Sequence, residues 1–128
     1  MKQKQESSQT RQAWLQSFAA AFAGLKVLFS NERNFRVHLL IGIAAVIACV
    51  VFHVTLMEWV VVLLLIAVVL SAEAFNTSIE YLCDIISPNY HPLIKKIKDI
   101  AAGAVLICAV IAAVIGCVIF IPYLAGLL

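Results

Sequence analysis

The sequence carries little charge. Only 12% of its 128 residues are Asp, Glu, Lys or Arg, while 64% are hydrophobic and the mean hydropathy is +1.05. Soluble globular domains carry about 25% charged residues. This scarcity excludes an ordinary soluble domain. We expect an all-α integral membrane protein that forms a single membrane domain over residues 1–128.

Two kinds of local motif are also missing. The five glycines are scattered and no GxxxxGK[ST] stretch exists, which excludes a P-loop for nucleotide phosphates. The four cysteines show no CxxC spacing: they are Cys49, Cys83, Cys108 and Cys117. We interpret them as small core residues rather than as a disulfide framework or a zinc site.

The N-terminal region differs from the rest of the chain. Residues 1–10 are polar, and we predict a disordered tail there that is not a secretory signal. In residues 11–30, Trp14, Phe18 and other apolar residues recur at helical spacing, opposite a polar face. This pattern predicts an amphipathic helix in the plane of the lipid headgroups.

Three apolar runs follow, each long enough for the ~20 residues that a bilayer requires. Trp59 is expected to anchor the second span at the interface, and Pro122 is expected to end the third. The predicted transmembrane helices cover residues 36–57, 59–86 and 99–121.

The basic residues predict the orientation. All nine Lys and Arg lie either near the N-terminus or between the second and third spans. Because cytoplasmic segments are enriched in Lys and Arg, we place the N-terminus and the loop 87–98 in the cytoplasm. The turn 53–58, which has neither, is expected to face out, as is the C-terminus.

The second span ends in carboxylates. At about 100° per residue, Glu73, Asn76, Glu80 and Asp84 form one narrow helical stripe. A carboxylate on an apolar helix costs roughly 3 kcal/mol near the bilayer centre and less toward the interface. The stripe therefore predicts that something cationic meets it, such as a metal, a Lys or Arg, or a hydrated polar cavity.

Further polar residues converge on the same cytoplasmic surface: Glu32, Lys98 and Asp99. Carboxylates for Mg²⁺ and a lysine for phosphate oxygens are the parts of a phosphoryl-transfer site. From the residues alone two functions stay open, an enzyme and a small transporter with Glu73 as its cation site. A plainer alternative is that these side chains only snorkel to the interface and stabilise helix packing.

Three segments resemble the bacterial diacylglycerol kinase/undecaprenol kinase family: ERNFRVH (32–38), AEAFNTSIEYLCD (72–84) and KDIAAGAVL (98–106). The resemblance extends over essentially the whole chain after about Arg11. It implies a homotrimer of three-span protomers, each with an N-terminal amphipathic helix. It also implies transfer of the γ-phosphoryl group of ATP to a lipid hydroxyl at the cytoplasmic membrane surface.

The resemblance also implies roles for matching residues. Glu73 would be the general base and Asn76 its polar partner in the catalytic cluster, while Glu32 and Glu80 would ligate Mg²⁺ together with the ATP phosphates. Other expected nucleotide contacts are Asn89, Tyr90, His91, Lys98 and Asp99. The lipid is expected to meet Glu73, Arg36, His38 and Trp59.

The residues within these motifs indicate which lipid is the substrate. The ERNF-x-x-H junction with His38, the NTSIE stretch and the His91-Pro92 pair look like the undecaprenol kinase branch of the family. We therefore predict that undecaprenol is the substrate, with diacylglycerol as the alternative.

Overall fold

Four helices account for the secondary structure of the described chain. The computed structural model describes the backbone of residues 2–126 and the side chains of residues 12–126. The helices are α1 (Lys2–Asn31), α2 (Arg33–Val51), α3 (Leu56–Ile86) and α4 (Pro92–Ala125). The expected all-helical architecture is therefore confirmed. The chain divides into two compact units, Met1–Arg33 and Asn34–Leu128.

Helix α1 begins earlier than predicted. It includes residues 2–10, which we expected to be a disordered tail, while Met1 lies outside the described residues. Gln, Lys and Glu dominate the start of this stretch and are good helix formers, which accounts for the longer helix. The aromatic side chains of Trp14, Phe18 and Phe22 are 62–68% exposed, so the predicted apolar face is uncovered.

The turn between α2 and α3 corrects two predicted boundaries. Helix α2 ends at Val51 rather than at 57, and α3 begins at Leu56, before Trp59. Thr55 and Glu58 form a capping box at the start of α3, in which each side chain accepts a hydrogen bond from the other's backbone N–H. His53 has a left-handed backbone with φ of 51°, which ends the preceding helix.

Helix α4 is longer than predicted at both ends. Pro92 occupies its first turn, where a missing N–H costs nothing, and the His91 side chain caps it by accepting from Leu93 N–H. The basic segment before residue 99 is therefore helical. The expectation that Pro122 ends the helix is wrong, because α4 continues to Ala125 before Gly126. Leu127 and Leu128 lie outside the described residues.

In the unit Asn34–Leu128, α3 and α4 form the most extensively packed pair of helices. A core cluster of Cys49, Val54, Val62 and Ile119 lies near the α2–α3 turn. Gly42 on α2 allows a close approach to α3, since a Cβ there would come within 3.1 Å of Ile66 Cγ2. The core cluster holds the three helices together at the end away from the carboxylates, and the Gly42–Ile66 contact joins α2 to α3 near the middle of α2.

Each helix has an apolar stretch long enough, by length and composition, to cross a membrane. The stretches in α2, α3 and α4 have mean hydropathies of 2.1, 2.3 and 3.2, and the residues Gln12–Asn31 of α1 reach 1.3. Most large apolar side chains of α2 to α4 face outward, as lipid-facing side chains do. The chain is therefore an integral membrane protein in which α1 is the least apolar helix.

Candidate active site

Polar side chains from two helices line one cavity of about 230 Å³ in the unit Asn34–Leu128. Asn34 and His38 come from α2, and the predicted stripe on α3 supplies the others. Small and apolar residues of α4 close the remaining wall. The polar lining is Asn34, His38, Glu73, Asn76 and Glu80, and the apolar lining is Ala102, Val105, Leu106 and Ala109.

Helical spacing places three members of the stripe together. Glu73, Asn76 and Glu80 follow one another at intervals of three and four residues, so they share one face of α3. Glu73 is only 3% exposed and Asn76 only 5%. An ionisable group buried within an apolar helix is costly and by default marks a functional position. The burial of the Glu73 carboxylate and the Asn76 amide therefore indicates a binding or catalytic site. It argues against side chains that only snorkel to the interface.

A hydrogen bond fixes the orientation of the Asn76 amide. Asn76 Nδ2 donates to Glu80 Oε1 over 3.1 Å. An ionised carboxylate only accepts, so the NH₂ group must face Glu80. Asn76 Oδ1 is then buried, with no hydrogen-bond donor among the described residues. An unsatisfied buried acceptor of this kind costs roughly 1–3 kcal/mol, so Asn76 is held in this position at some expense of stability.

The fourth member of the stripe lies outside the cavity. Asp84 Oδ1 accepts from Lys98 Nζ at 2.5 Å and so connects α3 to α4 before the apolar run that begins at Ile100. This hydrogen bond is the main reason that the pKa of Lys98 is raised above its ordinary value of 10.5, and the charge of Glu80 adds to the effect. Lys98 is therefore a stable cation whose field reaches the carboxylate of the cavity.

The other predicted nucleotide contacts lie near this ion pair. Asp99 pairs with Lys95 on the same face of α4, at 2.5 Å. Asn89, Tyr90 and His91 are exposed in the connection between α3 and α4. All these residues lie at the end of α3 and α4 to which the stripe leads, so a soluble ligand reaches them from one side.

Some predicted site residues lie elsewhere. Trp59 is fourteen positions from Glu73 on α3, about 21 Å along the axis, and packs against the core cluster instead. Arg36 is exposed and does not line the cavity. Glu32 belongs to the other compact unit, so its proposed role continues to rest on the resemblance.

Asn34 and the α4 wall of the cavity were not predicted from the sequence. Asn34 and His38 are four residues apart and so share a face of α2, a signal that the pattern did contain. The α4 residues carry no polar signal at all, and only packing identifies them. Within residues 12–126, no group of three or more His, Cys, Asp and Glu side chains is close enough to hold a metal ion by itself.

Comparison with known proteins identifies the family. The profile of prokaryotic diacylglycerol kinase matches residues 19–120. The chain belongs to this family. It is 40% identical over 111 residues to an undecaprenol kinase from Bacillus subtilis (strain 168), covering 87% of this chain and 90% of that protein.

Two other members are diacylglycerol kinases. The protein from Synechocystis is 36% identical, over 89% of this chain and 66% of its own length. The protein from Escherichia coli (strain K12) is 31% identical, over 77% of this chain and 81% of that protein. Membership decides between the enzyme and the transporter: the chain is a lipid kinase, a phosphotransferase with an alcohol group as acceptor.

Proposed function

We propose that this kinase transfers the γ-phosphoryl group of ATP to the hydroxyl of undecaprenol at the cytoplasmic membrane surface. The observation that carries the proposal is the burial of Glu73 beside Asn76 in a cavity that Glu80 also lines. The higher identity to an undecaprenol kinase than to the two diacylglycerol kinases favours undecaprenol. Diacylglycerol, which would give phosphatidic acid, is the alternative.

Glu73 is the proposed general base. It takes the proton of the lipid hydroxyl while the oxygen forms a bond to the γ-phosphorus, and the bond from that phosphorus to the β,γ-bridging oxygen breaks to release ADP. Asn76 is the proposed polar partner of Glu73 in the catalytic cluster, and its amide is held in place by the hydrogen bond to Glu80. Lys98, Asp99 and the connection Asn89–His91 contact the nucleotide.

The donor set of the cavity fits Mg²⁺. Oxygen ligands are those that Mg²⁺ prefers, and it is usually held by one or two carboxylates together with substrate phosphates. The carboxylate of Glu80 provides such oxygens in the cavity. Glu80 is a proposed carboxylate ligand, and Glu32 is proposed as a second one on the resemblance alone. When bound, Mg²⁺ would neutralise charge that develops on the phosphates.

Charge distribution supports three spans and a cytoplasmic N-terminus. If α1 crossed the membrane, Lys2, Lys4 and Arg11 would lie on the side opposite to Arg33 and Arg36. With α1 at the surface, all basic residues lie on the cytoplasmic side, in accordance with the positive-inside rule. The exposed aromatic face of α1 suits the headgroup region. We further propose that three copies associate through the uncovered apolar faces of α2 to α4.

A direct assay tests the activity. Protein in lipid nanodiscs receives labelled ATP, Mg²⁺ and either undecaprenol or diacylglycerol, and the lipid product is separated and counted. We expect faster labelling of undecaprenol. Faster labelling of diacylglycerol would establish the alternative, and ATP-dependent labelling of neither lipid would refute the proposed function.

A further inference from the structure

The ion pair between Asp84 and Lys98 joins two helices. Lys98 Nζ, in the second turn of α4, donates to Asp84 Oδ1, in the last turn of α3, over 2.5 Å. The neighbouring pair of Lys95 and Asp99 differs, because these residues lie four positions apart on the same helix. The place of the Lys98 ammonium group is therefore set by a residue of another helix.

Stability alone is a weak explanation of this ion pair. The side chain of Asp84 is 63% exposed and that of Lys98 is 32% exposed. Ion pairs near the surface contribute little to stability, because solvent screens the charges and ordering two long side chains costs entropy. α3 and α4 are in any case the most extensively packed pair of helices. The contact therefore matters more for where Lys98 lies than for holding the helices together.

The ammonium group of Lys98 retains donors for a second partner. It carries three N–H groups, and Asp84 Oδ1 accepts from one of them. Asp84 follows Glu80 by one helical turn on the same face of α3, and Glu80 lines the polar cavity while Asp84 does not. A free lysine side chain loses rotamer freedom when a ligand orders it. Because Asp84 orders Lys98 beforehand, an anion that meets the remaining donors binds at a lower entropic cost.

We infer that Asp84 is a positioning residue, which holds the ammonium group of Lys98 in place for the phosphates of ATP. This inference rests on the proposed function, in which Lys98 contacts the nucleotide. Asp84 acts through Lys98 and touches neither the phosphates nor Mg²⁺. Its loss should therefore weaken the binding of ATP without slowing the transfer step, and only in a protein that contains Lys98.

Steady-state kinetics at saturating lipid and Mg²⁺ test this role. We expect Asp84→Ala to raise the KM for ATP about fivefold, with kcat within about twofold of the unmodified kinase. Asp84→Asn keeps an oxygen that accepts from Lys98, although more weakly than a carboxylate, so its KM should rise only about two- to threefold. Ile85→Ala is a truncation at the next position of α3, which is 79% exposed, and should leave the KM unchanged.

A double-mutant cycle shows whether Asp84 acts through Lys98. Added to Lys98→Ala, the Asp84→Ala change should have no further effect on the KM for ATP, because the group that it positions is already gone. A rise of the same factor in both backgrounds would overturn the inference. A lower KM in Asp84→Ala would overturn it as well, since Asp84 would then compete with the phosphates for Lys98.

A Mg²⁺ titration distinguishes positioning from metal binding. The Mg²⁺ concentration for half-maximal activity of Asp84→Ala should equal that of the unmodified kinase. A rise of about tenfold, as expected for a lost metal ligand, would make Asp84 a ligand and overturn its role as a positioning residue. Melting temperatures in detergent show whether each variant is folded. If Asp84→Ala is not, Asp84→Asn carries the cycle, and its smaller rise in KM should vanish in the Lys98→Ala background.

These outcomes are separate from those that test the proposed function. If Lys98→Ala leaves the KM for ATP unchanged while the unmodified protein phosphorylates lipid, the inference about Asp84 fails and the kinase activity stands. Absence of lipid phosphorylation by the unmodified protein is the result that refutes the proposed function.

Discussion

Asn76 donates its side-chain amide to the carboxylate of Glu80, one turn further along α3, over 3.1 Å. This contact determines the orientation of the Asn76 amide, because only the NH₂ group can donate to an ionised carboxylate. Glu80 therefore has two separable functions in the proposed mechanism. It orients Asn76, and it ligates Mg²⁺ together with the phosphates of ATP.

Two substitutions distinguish these functions. Glu80→Gln retains an oxygen that can accept from Asn76 but removes the charge, whereas Glu80→Ala removes both. If metal binding dominates, both variants raise the Mg²⁺ concentration needed for half-maximal activity, by about tenfold or more. If orientation dominates, Glu80→Gln resembles the unmodified kinase and only Glu80→Ala loses activity. Mg²⁺ titrations of both variants at saturating ATP provide the measurement.

Glu73→Gln should abolish most phosphoryl transfer while the fold survives. The amide matches the carboxylate in shape but cannot take the hydroxyl proton, and a general base contributes typically 10²–10⁴-fold to the rate, so we expect kcat to fall by about that factor. Nucleotide affinity should change little. Glu58→Gln makes the same chemical change at the other end of α3 and should retain activity. A Glu73→Gln variant with full activity would move the base to another residue.

Lys98→Ala should weaken nucleotide binding, because it removes the cation that is proposed to contact the nucleotide phosphates. We expect the KM for ATP to rise about tenfold. Lys96→Ala, two positions earlier on α4 and exposed, is the matched control and should have little effect. Because the pKa of Lys98 is raised above its ordinary value of 10.5, Lys98 stays protonated between pH 6 and pH 9. A loss of ATP affinity between pH 6 and pH 9 would therefore have to come from another group.

A hydrogen bond across the opposite end of the unit should contribute to stability but not to catalysis. Tyr123 Oη donates to Glu58 Oε2 over 2.7 Å, and so joins the end of α4 to the start of α3. Tyr123→Phe removes this donor and retains the ring that stacks on Phe52. We expect a lower melting temperature in detergent with unchanged kcat. A loss of kcat at an unchanged melting temperature would contradict this separation.

Two glycines should respond oppositely to the same substitution. A Cβ at Gly103 meets no atom within 4 Å, so Gly103→Ala should stabilise α4 by about 0.5–1 kcal/mol through the higher helix propensity of alanine. A Cβ at Gly42 lies 3.1 Å from Ile66 Cγ2, so Gly42→Ala requires Ile66 to shift and should gain less or lose stability. Reversible unfolding in mixed micelles measures both changes. A destabilised Gly103→Ala would indicate that another copy of the chain packs at that position.

The helical stripe on α3 was predictable because it depends only on local geometry. A fixed rotation of about 100° per residue places Glu73, Asn76 and Glu80 on one face whatever surrounds them. The end of α3 at Ile86 was predicted as well, since Pro88 and Pro92 follow it closely. The start of α3 at Leu56 was not predicted, although Thr55 and Glu58 form a recognisable capping-box pattern.

The contacts between helices could not be predicted from the sequence pattern. The pairing of Lys98 with Asp84 joins residues fourteen positions apart on two helices, and no periodicity relates them. Trp59 looked like a lipid contact of the site, but its place on α3 puts it among the core residues at the opposite end. The α4 side of the cavity is built from residues such as Ala102 and Ala109, whose contribution is to leave space.

The sequence by itself determined that the chain enters a membrane as helices and that one of them presents two carboxylates and an amide on a single face, because composition and helical rotation are local properties. Only the tertiary structure decided that Asn34 and His38 face that surface, that small residues of α4 close the cavity, and that Asn76 Oδ1 is buried with no donor among the residues that the structure describes. These features depend on the distances between helices, and those are set by how side chains from distant parts of the chain pack.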